Sequence, residues 1–581
     1  MSGDETLPEG TPPEPTTERQ WREGYEALGK RFGESVPERA VEPRTRSGLP
    51  IRNAYFPSDV TDLNATTIGA PGEFPFTRGN LQAQYQYMNW ANQPVIGYGL
   101  PEDTRSRMDI LTEQGMTGYF GQRFYNLLYD LVSHEGLDPD HPAARGRVGQ
   151  CGMAVYSASD MQRLFDGLDL SRINVVHITD YQVVPVLAQY IACAERSGVA
   201  PEELRGNTMN YYHQSAFCGM SAFPPEQGHK LAVALIAFCS QRMPRWNTTN
   251  FVGYDLEESG GNAVQEAGML LAYGVELVHS CVEAGVDPTA ALSRFGFQIA
   301  QGNDFFEEIA KIRALRRLWA TTMSERFGVT DPRGLHVRIH THTSGASLTA
   351  QQPLVNIIRT TLQAFGAALS GVQAMEVAAY DEAYAIPTEE AATLSLRIQQ
   401  VIQEETNITA VSDPLGGSYY LEALTNQVAE AAEAICSEIE GLGGYIAAQR
   451  EGWIRDQIET AAARWRDEID AGRSRVVGVN CYVDSDSRDP DIFTVDPEVE
   501  RTAVKRMIEH RAQRDSKHHA DAMRSFRSAL SRFADQPMSD VGDHRLVEAA
   551  IEAARADATT GEMMAEMKAA LGWDAPYAYG P

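Results

Sequence analysis

The sequence predicts an α/β protein built on a (β/α)₈ barrel of the TIM type, with an N-terminal extended arm before it and a helical region after it. Two observations lead to this fold class. Short runs rich in β-branched residues alternate with long helical patterns over residues 51–425. The number of such units fits a closed eight-stranded barrel better than an open sheet, and parallel strands need the crossover helices that the pattern supplies.

Residues 1–50 form the predicted arm. They are poor in apolar residues and rich in Pro, Glu and Arg. Such a composition buries too little apolar surface to offset the entropy of ordering the chain. We therefore expect this arm to be disordered alone and to become ordered against a partner.

Residues 51–425 are predicted to be the barrel. Helical patterns cover 262–285 and 353–371. The β-like runs are "INVVHIT" (173–179), "NFVGYD" (250–255), "LHVRIHTHTSG" (335–345) and "NITAVSDP" (407–414). Catalytic residues of such barrels gather at the C-terminal ends of the strands. Asp255, His340 and Asp413 are predicted to lie at such ends.

Residues 426–581 are predicted to be mostly helical. Amphipathic patterns begin at residues 426, 497 and 545, and one β-like run, "SRVVGVNCYV" (474–483), interrupts them. We expect these charge-rich helices to pack on the barrel or on another subunit.

Composition restricts the classes of partner. The chain has 581 residues, a net charge of −29 and an isoelectric point near 4.9. Such a surface repels nucleic acid and anionic membranes, so we expect neither as a partner. The seven cysteines are scattered without CxxC spacing, and no HExxH occurs. We therefore expect reduced thiols, a cytoplasmic location and no metal site built by the protein itself.

Three acids, Asp255 among them, stand where the run "NFVGYD" opens into a loop, in "GYDLEESGG" (253–261). On local evidence a solvated turn before a helix explains them as well as a functional site does. Residues elsewhere in the chain have to decide between the two interpretations.

Four blocks of sequence carry a resemblance to a known family. They are "GEFPFTRG" (72–79), "DPDHPAARGRVGQCGMAV" (138–155), "HTHTSGASLTAQQ" (340–352), and "AAYDEAYAIPT" (378–388) with "DPLGGSYYLEALTNQV" (413–428). Together they resemble the adenosylcobalamin-dependent acyl-CoA mutases of the methylmalonyl-CoA mutase family. The resemblance implies a barrel that carries an acyl thioester along its axis and a radical rearrangement of the carbon skeleton.

The resemblance also implies a partner. The DxHxxG segment that ligates cobalt in this family does not occur in these 581 residues. The chain therefore resembles a large subunit that lacks the cobalamin-binding domain. We expect a separate small subunit to supply the cobalt ligand for adenosylcobalamin, in a dimer of heterodimers (a heterotetramer), and the chain to be inactive alone.

Three catalytic residues are implied by the resemblance: Tyr254, Asp255 and His340. The family reads GYHxxEAG where this chain has "GYDLEES", so Glu258 matches the family's Glu and Asp255 replaces its His. A neutral His donates a hydrogen bond to a thioester carbonyl, whereas an ionised Asp has only acceptors. Either Asp255 is protonated, or the substrate brings a donor such as a hydroxyl, an amine or an amide.

Other departures from the family concern the substrate. Met88 and Gln93 stand where methylmalonyl-specific members have arginines, and Val95 replaces a Tyr beside the substrate. The segment 206–219, which supplies the arginine for the free carboxylate in the family, has no Arg, and Gly219 falls near that position. Methylmalonyl-CoA is thus an unexpected substrate. The pattern is similar to that of members that accept isobutyryl-, 2-hydroxyisobutyryl- or pivalyl-type thioesters.

The remaining site residues are carried over by position in the matching blocks. Those expected to bind substrate are Val95, Gln93, Asn247, Arg294, His342 and Gln373, and those expected to bind cofactor are Glu258, Glu382, Gly345, Ala346 and His141. Simpler roles compete: His340 as a core histidine, Arg294 in a surface ion pair, and His342 without a role. Two alternatives for the whole chain also remain. One is an isomerase of a carrier-bound or free polar acid, and the other is a non-catalytic paralogue that binds a cobalamin subunit.

Overall fold

Parallel strands form the centre of the molecule. The computed structural model describes residues 17–35, 43–61, 68–118, 121–210, 212–213, 221–484 and 491–574. Every strand pair within these ranges is parallel. The strands are β1 (Ala91–Asn92), β2 (Val95–Ile96), β3 (Arg123–Leu128), β4 (Ile173–Ile178), β5 (Arg205–Thr208), β6 (Trp246–Asn247), β7 (Thr249–Val252), β8 (Phe295–Gln301), β9 (Ile339–Thr343) and β10 (Ala374–Glu376).

The strands pair in a circuit of eight positions. One sheet has the order β1-β10-β9-β8-β7, and the other has the order β2-β3-β4-β5-β6. Only Gln93 and Pro94 separate β1 from β2, and only Thr248 separates β6 from β7. Each of these two pairs is therefore one barrel strand with a break, and Pro94, which has no N–H, cannot continue the ladder. This arrangement confirms the predicted α/β fold with a parallel barrel.

Helices surround the strands and continue beyond them. Before the barrel lies Glu18–Ser35. Those between the barrel strands and after β10 are Pro101–Glu113, Leu131–His134, Ala158–Leu164, Val183–Arg196, Pro225–Arg242, Tyr254–Glu258, Ala263–Glu283, Pro288–Leu292, Phe305–Phe327, Pro332–Leu335, Val355–Leu369 and Glu389–Glu404. The last group is Tyr419–Gly441, Tyr445–Arg450, Trp453–Asp470, Glu498–Gln513, Ser516–Asp535, Arg545–Arg555 and Thr560–Leu571.

The core has an outer and an inner part because strand side chains alternate between the two faces. Val175 belongs to the large cluster that strands and helices share. Its neighbour Val176 belongs to a separate small cluster inside the barrel. The buried members of that inner cluster are Phe124, Val176, Ile178, Met209 and Val252, with Val95, Leu128 and Tyr254 packed against them.

A buried charge network joins β8 to the helices on its outer side. The Lys311 side chain is fully buried, and its Nζ lies 2.5 Å from Glu266 Oε2 and 2.8 Å from the Ala300 carbonyl oxygen. It also contacts Glu308, and the Ala300 N–H donates to Glu266 Oε1 at 2.9 Å. A helix, a second helix and a barrel strand are thus held at one point.

Two of the predicted strands are wrong. Residues 407–414 contain a short 3₁₀ turn, Ile408–Ala410, and residues 474–483 contain only an isolated bridge between Val477 and Cys481. The eight barrel positions are already filled, so these β-branched runs have no strand to pair with. Asp413 is consequently not at a strand end.

Asp413 instead anchors a loop. It has a φ of 48°, a left-handed conformation that Asp tolerates better than most residues. Its Oδ2 accepts from Arg78 Nε at 2.8 Å, and its Oδ1 accepts from Arg313 Nη1 at 2.5 Å. Its role in this structure is a buried ion pair.

Part of the predicted arm is helical, where its composition led us to expect disorder. In the helix Glu18–Ser35, the Trp21 ring stacks on Phe56 with 6.2 Å between centroids. Further on, the Arg46 guanidinium lies 4.1 Å above the Trp465 ring and binds Glu257. The proposed domain boundary at 50 remains a prediction, as does the one at 425, which falls inside the helix Tyr419–Gly441.

Candidate functional site

The C-terminal ends of β7, β9 and β10 form one rim of the barrel, because these strands are parallel and lie side by side with β8. After β7 the chain turns at Gly253 into the short helix Tyr254–Glu258. A Cβ at Gly253 would lie 2.3 Å from Glu266 Oε1. Only glycine fits this turn, because the chain passes close to Glu266, the partner of the buried Lys311. The turn thus places the start of the helix Tyr254–Glu258 beside that charge network.

Two carboxyl groups and a phenol converge on Gly345, just after β9. A Cβ at that position would lie 2.8 Å from Glu382 Oε1, 2.9 Å from Glu258 Oε2 and 3.2 Å from the Tyr254 hydroxyl. The Ala346 N–H donates to Glu258 Oε1 at 3.0 Å. The structure thus brings together five residues that the sequence nominated. Their oxygens surround a space that a side chain would fill, and they offer acceptors to a ligand rich in hydroxyl groups.

Burial changes the protonation of these carboxyl groups. It raises the pKa of Glu258 to about 9, and the nearby carboxyl of Glu257 adds to the effect. Burial also raises the pKa of Glu382 to about 7. Among the described residues, no lysine or arginine forms an ion pair with either group. Glu258 is therefore protonated at neutral pH.

A second polar group lies on the barrel interior between β9 and β10. His342 and Glu376 are register partners on these strands, and each is 7% exposed. His342 Nε2 lies 3.3 Å from Glu376 Oε2, and the Val95 N–H donates to Glu376 Oε1 at 2.7 Å. The Tyr254 ring packs on the His342 ring with 4.0 Å between centroids. The pair therefore connects three barrel strands with the helix Tyr254–Glu258.

His340 lies one step deeper in the barrel and is the register partner of both Gln298 and Ala374. Its Nε2 is buried and has no hydrogen-bond partner among the described residues. Burial, together with the neighbouring His342, lowers the pKa of His340 to about 3, so the ring is neutral. A neutral imidazole with an unused nitrogen suits the predicted contact with a substrate better than it suits a satisfied core histidine.

Asp255 lies in the first turn of the helix Tyr254–Glu258 and is partly exposed. Its main-chain oxygen accepts from the Ser259 N–H at 3.0 Å and from Ser259 Oγ at 2.8 Å. Burial is the main reason why the pKa values of the neighbouring Tyr254 and Glu258 are raised, and the nearby carboxyl of Asp255 makes a smaller contribution. The catalytic role of Asp255 stays a prediction.

Other nominated residues lie at the opposite, N-terminal end of the strands. Asn247 ends β6, Arg294 precedes β8, and Gln373 precedes β10. The Gln373 amide is occupied by the backbone, since its Oε1 accepts from the Ile339 N–H at 2.9 Å and its Nε2 donates to the Gly371 oxygen at 3.0 Å. Gln373 thus has a clear structural role, and its role in binding stays a prediction.

The last nominated positions are scattered. Gln93 is buried between β1 and β2, and its N–H donates to the Met375 oxygen at 2.9 Å. His141 is exposed, and its Nδ1 accepts from the Ala143 N–H at 3.2 Å. Gly219, the position expected to lack the carboxylate-binding arginine, lies outside the described residues.

Sequence reasoning missed two features of this rim. Glu376 was not nominated, although it is the single acid in the apolar run "AMEVAA" (374–379), and that pattern was the available signal. The pair His134–Asp180, with 2.6 Å between Nδ1 and Oδ2, follows the ends of β3 and β4. Burial by itself would lower the pKa of His134, but Asp180, together with Asp130 and a backbone contact to Ile178, more than offsets this, so that pKa is raised.

Within the described ranges, no group of three or more His, Cys, Asp or Glu side chains is placed to hold a metal ion. No helix in those ranges combines the length and the apolar composition that a membrane crossing requires.

Comparison with known proteins identifies the family. A family model described as "Methylmalonyl-CoA mutase" matches residues 44–573. The methylmalonyl-CoA mutase of Rhizobium meliloti (strain 1021) is 35% identical over 552 residues, covering 94% of this chain and 75% of that protein. The 2-hydroxyisobutanoyl-CoA mutase large subunit of Aquincola tertiaricarbonis is 33% identical over 549 residues, covering 93% of this chain and 94% of that protein.

A third relative matches over a similar extent. The methylmalonyl-CoA mutase of Escherichia coli (strain K12) is 34% identical over 532 residues, covering 91% of this chain and 72% of that protein. The family model and these relatives extend over both the barrel and the helices that follow it. On this evidence the chain belongs to the methylmalonyl-CoA mutase family of adenosylcobalamin-dependent isomerases.

Proposed function

We propose that this chain is the substrate-binding large subunit of a coenzyme B12-dependent radical mutase, and that its substrate is an acyl-CoA thioester other than methylmalonyl-CoA. The observation that carries the proposal is the lining of the rim. Its polar groups are the carboxyls of Glu258, Glu376 and Glu382 and two neutral imidazoles. No lysine or arginine among the described residues pairs with these carboxyls. A second carboxylate on the substrate would therefore lack a counter-charge.

The space around Gly345 fits the adenosyl part of the cofactor. Carboxyl oxygens and a phenol surround a position that tolerates no side chain, and ribose hydroxyls are suitable donors to them. Glu258, Glu382 and Tyr254 would hold this group, with Gly345 and Ala346 providing room and a backbone N–H. When bound, adenosylcobalamin supplies the radical that starts the rearrangement. The chain itself excludes water and fixes the position of the acyl group.

The opposite end of the barrel favours a coenzyme A ester over an uncharged carrier or a free acid. Six of the eight strand positions carry an arginine at or just before their first residue: Arg123, Arg172, Arg205, Arg245, Arg294 and Arg338. Arg294 forms no ion pair with any described residue. In a chain of net charge −29, such a cationic ring would attract the phosphates of coenzyme A.

The acyl group would then reach a chamber with two unlike walls. The inner cluster, together with Val95 and Leu128, forms an apolar wall. His340, His342 and Glu376 form the polar wall. A short branched acyl chain fits the apolar side, and Val95 leaves more room than an aromatic residue would. In this scheme Asp255, His340 and Tyr254 contact the thioester or the group that migrates.

The assembly is part of the proposal. The Aquincola tertiaricarbonis relative, which this chain covers over 94% of its length, is named a large subunit. By analogy, a separate small subunit would bind cobalamin here, in a cytoplasmic dimer of heterodimers. A cobalamin-binding chain that co-purifies with this one supports the two-chain reading. Stoichiometric retention of cobalamin by this chain alone contradicts it.

The test is a panel of thioesters. The chain, its small subunit and adenosylcobalamin are incubated with isobutyryl-, 2-hydroxyisobutyryl-, pivalyl- and methylmalonyl-CoA, and the products are separated by mass spectrometry. We expect turnover of a branched substrate. Methylmalonyl-CoA should be slower by about 30- to several-thousand-fold, since a buried carboxylate without its partner costs about 2–5 kcal/mol. Efficient formation of succinyl-CoA would overturn the substrate assignment, and no turnover of any thioester would favour a non-catalytic paralogue.

Asp255 variants complete the test. Asp255→Asn can still donate through its amide, so it is tolerated if Asp255 acts as a protonated donor and is costly if Asp255 accepts from the substrate. Asp255→Ala with activity within about twofold of the wild type would reduce Asp255 to a solvated turn residue; this twofold limit corresponds to about 0.4 kcal/mol.

A further inference from the structure

Among the described residues, several polar atoms of the barrel interior are buried without hydrogen-bond partners. Two of them are His340 Nε2 and, when Glu376 is ionised, Glu376 Oε2. Buried polar atoms of native proteins nearly always have a partner, so each exception calls for an explanation such as a functional role or an absent partner. Both atoms lie on the polar wall of the chamber, on the adjacent strands β10 and β9.

The proton on His342 can be located from its contacts. His342 Nδ1 lies 2.8 Å from the Thr343 carbonyl oxygen, which can only accept, so Nδ1 carries a hydrogen. In the neutral ring, Nε2 is then a bare acceptor. This nitrogen faces Glu376 Oε2 at 3.3 Å, and two acceptors would repel each other at that distance.

One proton resolves this contact. Glu376 Oε1 already accepts from the Val95 N–H at 2.7 Å, so the proton of a neutral Glu376 belongs on Oε2, directed toward His342. Burial favours this state, since it raises the pKa of Glu376 well above its usual range and lowers the pKa of His342 to about 4. After Oε2 has donated its hydrogen to His342, it can still accept one hydrogen bond through a lone pair. The pair as a whole is uncharged and can offer only an acceptor.

We propose that the Glu376–His342 pair is a specificity-determining site, and that it binds a hydroxyl group carried by the acyl part of the substrate. This inference rests on the proposed function and narrows its substrate class to hydroxyacyl thioesters. A hydroxyl can donate to Glu376 Oε2 and accept in return from a neighbouring donor. A second carboxylate offers only acceptors and is rejected, and a purely aliphatic acyl group leaves the remaining lone pair of Oε2 without a donor.

The neighbouring apolar wall agrees with this class. Val95 joins the two walls, because its side chain packs against the inner apolar cluster while its N–H holds Glu376. A small acyl group with methyl branches on one side and a hydroxyl on the other matches both walls at once. An ammonium group would need a net negative partner, which an uncharged pair does not provide.

The experiment measures binding to the full chain by titration calorimetry at pH 7.5. The probes are 2-hydroxyisobutyryl-CoA, isobutyryl-CoA and 2-aminoisobutyryl-CoA. We expect the wild type to bind the hydroxyacyl ester about 2- to 13-fold more tightly than isobutyryl-CoA, the range of one net hydrogen bond. Tighter binding of the aminoacyl ester than of the hydroxyacyl ester would overturn the assignment.

Two variants of Glu376 test the acceptor. In Glu376→Gln the amide oxygen can still accept from Val95 and one N–H can donate to His342, so the shape is kept while the acceptor facing the chamber becomes an N–H donor. In Glu376→Met the side chain offers neither a donor nor an oxygen acceptor, and the ratio of the two affinities should fall to about 1; because it is a ratio, any change common to both esters cancels. Glu404→Gln, at an exposed helix position, should leave the wild-type ratio unchanged.

The outcomes separate the two proposals. A preference for the hydroxyl that survives in both Glu376 variants would overturn the present inference alone, as would equal wild-type affinity for the two esters. If the wild type binds none of the thioesters, the proposed coenzyme A substrate falls, and this inference falls with it.

Discussion

Replacing Lys311 with methionine should destabilise the barrel strongly, and the loss should grow with pH. The ammonium group is fully buried between Glu266, at 2.5 Å, and Glu308, and it also donates to the Ala300 oxygen at 2.8 Å. Methionine fills a similar volume but brings no charge. Two buried carboxyl groups then face each other without a cation.

The magnitude follows from the unpaired carboxyls. Breaking a buried ion pair by removing one partner costs about 3–5 kcal/mol. Burial already raises the pKa of Glu266 to about 7, and it raises the pKa of Glu308 as well, with Lys311 opposing both shifts. Without Lys311 the fold must keep both carboxyls protonated to a higher pH. In the unfolded chain they ionise near their ordinary value of 4.5. Each pH unit by which the folded pKa exceeds the unfolded one costs about 1.4 kcal/mol once the pH lies above both.

Urea denaturation followed by circular dichroism at pH 5.5 and pH 7.5 measures this effect. The deficit of Lys311→Met relative to the wild type should be about 1–3 kcal/mol larger at pH 7.5. Lys505→Met, on an exposed helix where Lys505 is 76% exposed, should cost less than about 0.5 kcal/mol at both pH values. A deficit of Lys311→Met that is larger at pH 5.5, or one below about 0.5 kcal/mol at both, would refute the reasoning.

Three further predictions concern the rim and the arginine ring. Glu258→Gln should raise the thermal unfolding midpoint above that of the wild type, and by more at pH 8.5 than at pH 6. The reason is that a carboxyl whose folded pKa is raised to about 9 makes the wild-type fold less stable as the pH rises above 4.5, whereas glutamine does not titrate. Gly345→Ala should lower cofactor-dependent activity by about tenfold or more with little change in thermal unfolding, and Gly441→Ala, which meets nothing within 4 Å, serves as its control. Arg294→Met should weaken binding of a coenzyme A ester but not of the matching pantetheine ester, and added salt should shrink the difference; equal loss for both esters would contradict a phosphate contact.

The strands that the sequence predicted correctly are those buried on both faces. The runs at 173–179 and 335–345 contain β4 and β9, and the run at 250–255 overlaps β7. That run begins one residue after the first residue of β7, Thr249, and its last two residues, 254 and 255, begin a helix. Their apolar, β-branched character reflects a barrel strand that faces helices on one side and the interior on the other.

The run at 407–414 shows why local pattern has limits. Its β-branched residues satisfy the same preference, yet a strand exists only where a neighbour offers hydrogen bonds. The circuit of eight positions is complete without it. The segment therefore uses its acid, Asp413, to bind Arg78 and Arg313 across the outside of the barrel.

The candidate site was predictable where the signal is local and hidden where it depends on register. Tyr254 and Glu258 share one short segment, and Gly345 and Ala346 share another, so short stretches of sequence are enough to nominate them. Glu376 meets His342 only because β9 and β10 pair with these two residues opposite each other. A shift of one residue would turn Glu376 toward the outer helices, and no single-sequence pattern fixes that register.

The charges of the molecule also give the proposed substrate a direction. Arginines stand at the N-terminal ends of six strand positions, while Glu258, Glu376 and Glu382 lie at or just beyond the C-terminal ends. A polyanionic tail is attracted to the first end, whereas the buried carboxyl groups of the second end offer it no cation, so we expect a coenzyme A ester to bind with its tail at the arginines. The same asymmetry acts on the acyl group. An acyl group that ends in a carboxylate would place its charge among buried groups that offer no counter-charge, whereas one that ends in a hydroxyl would find hydrogen-bond partners there. The two ends of the barrel therefore select for the same property: a substrate that is anionic at its tail and neutral but hydrogen-bonding at its head.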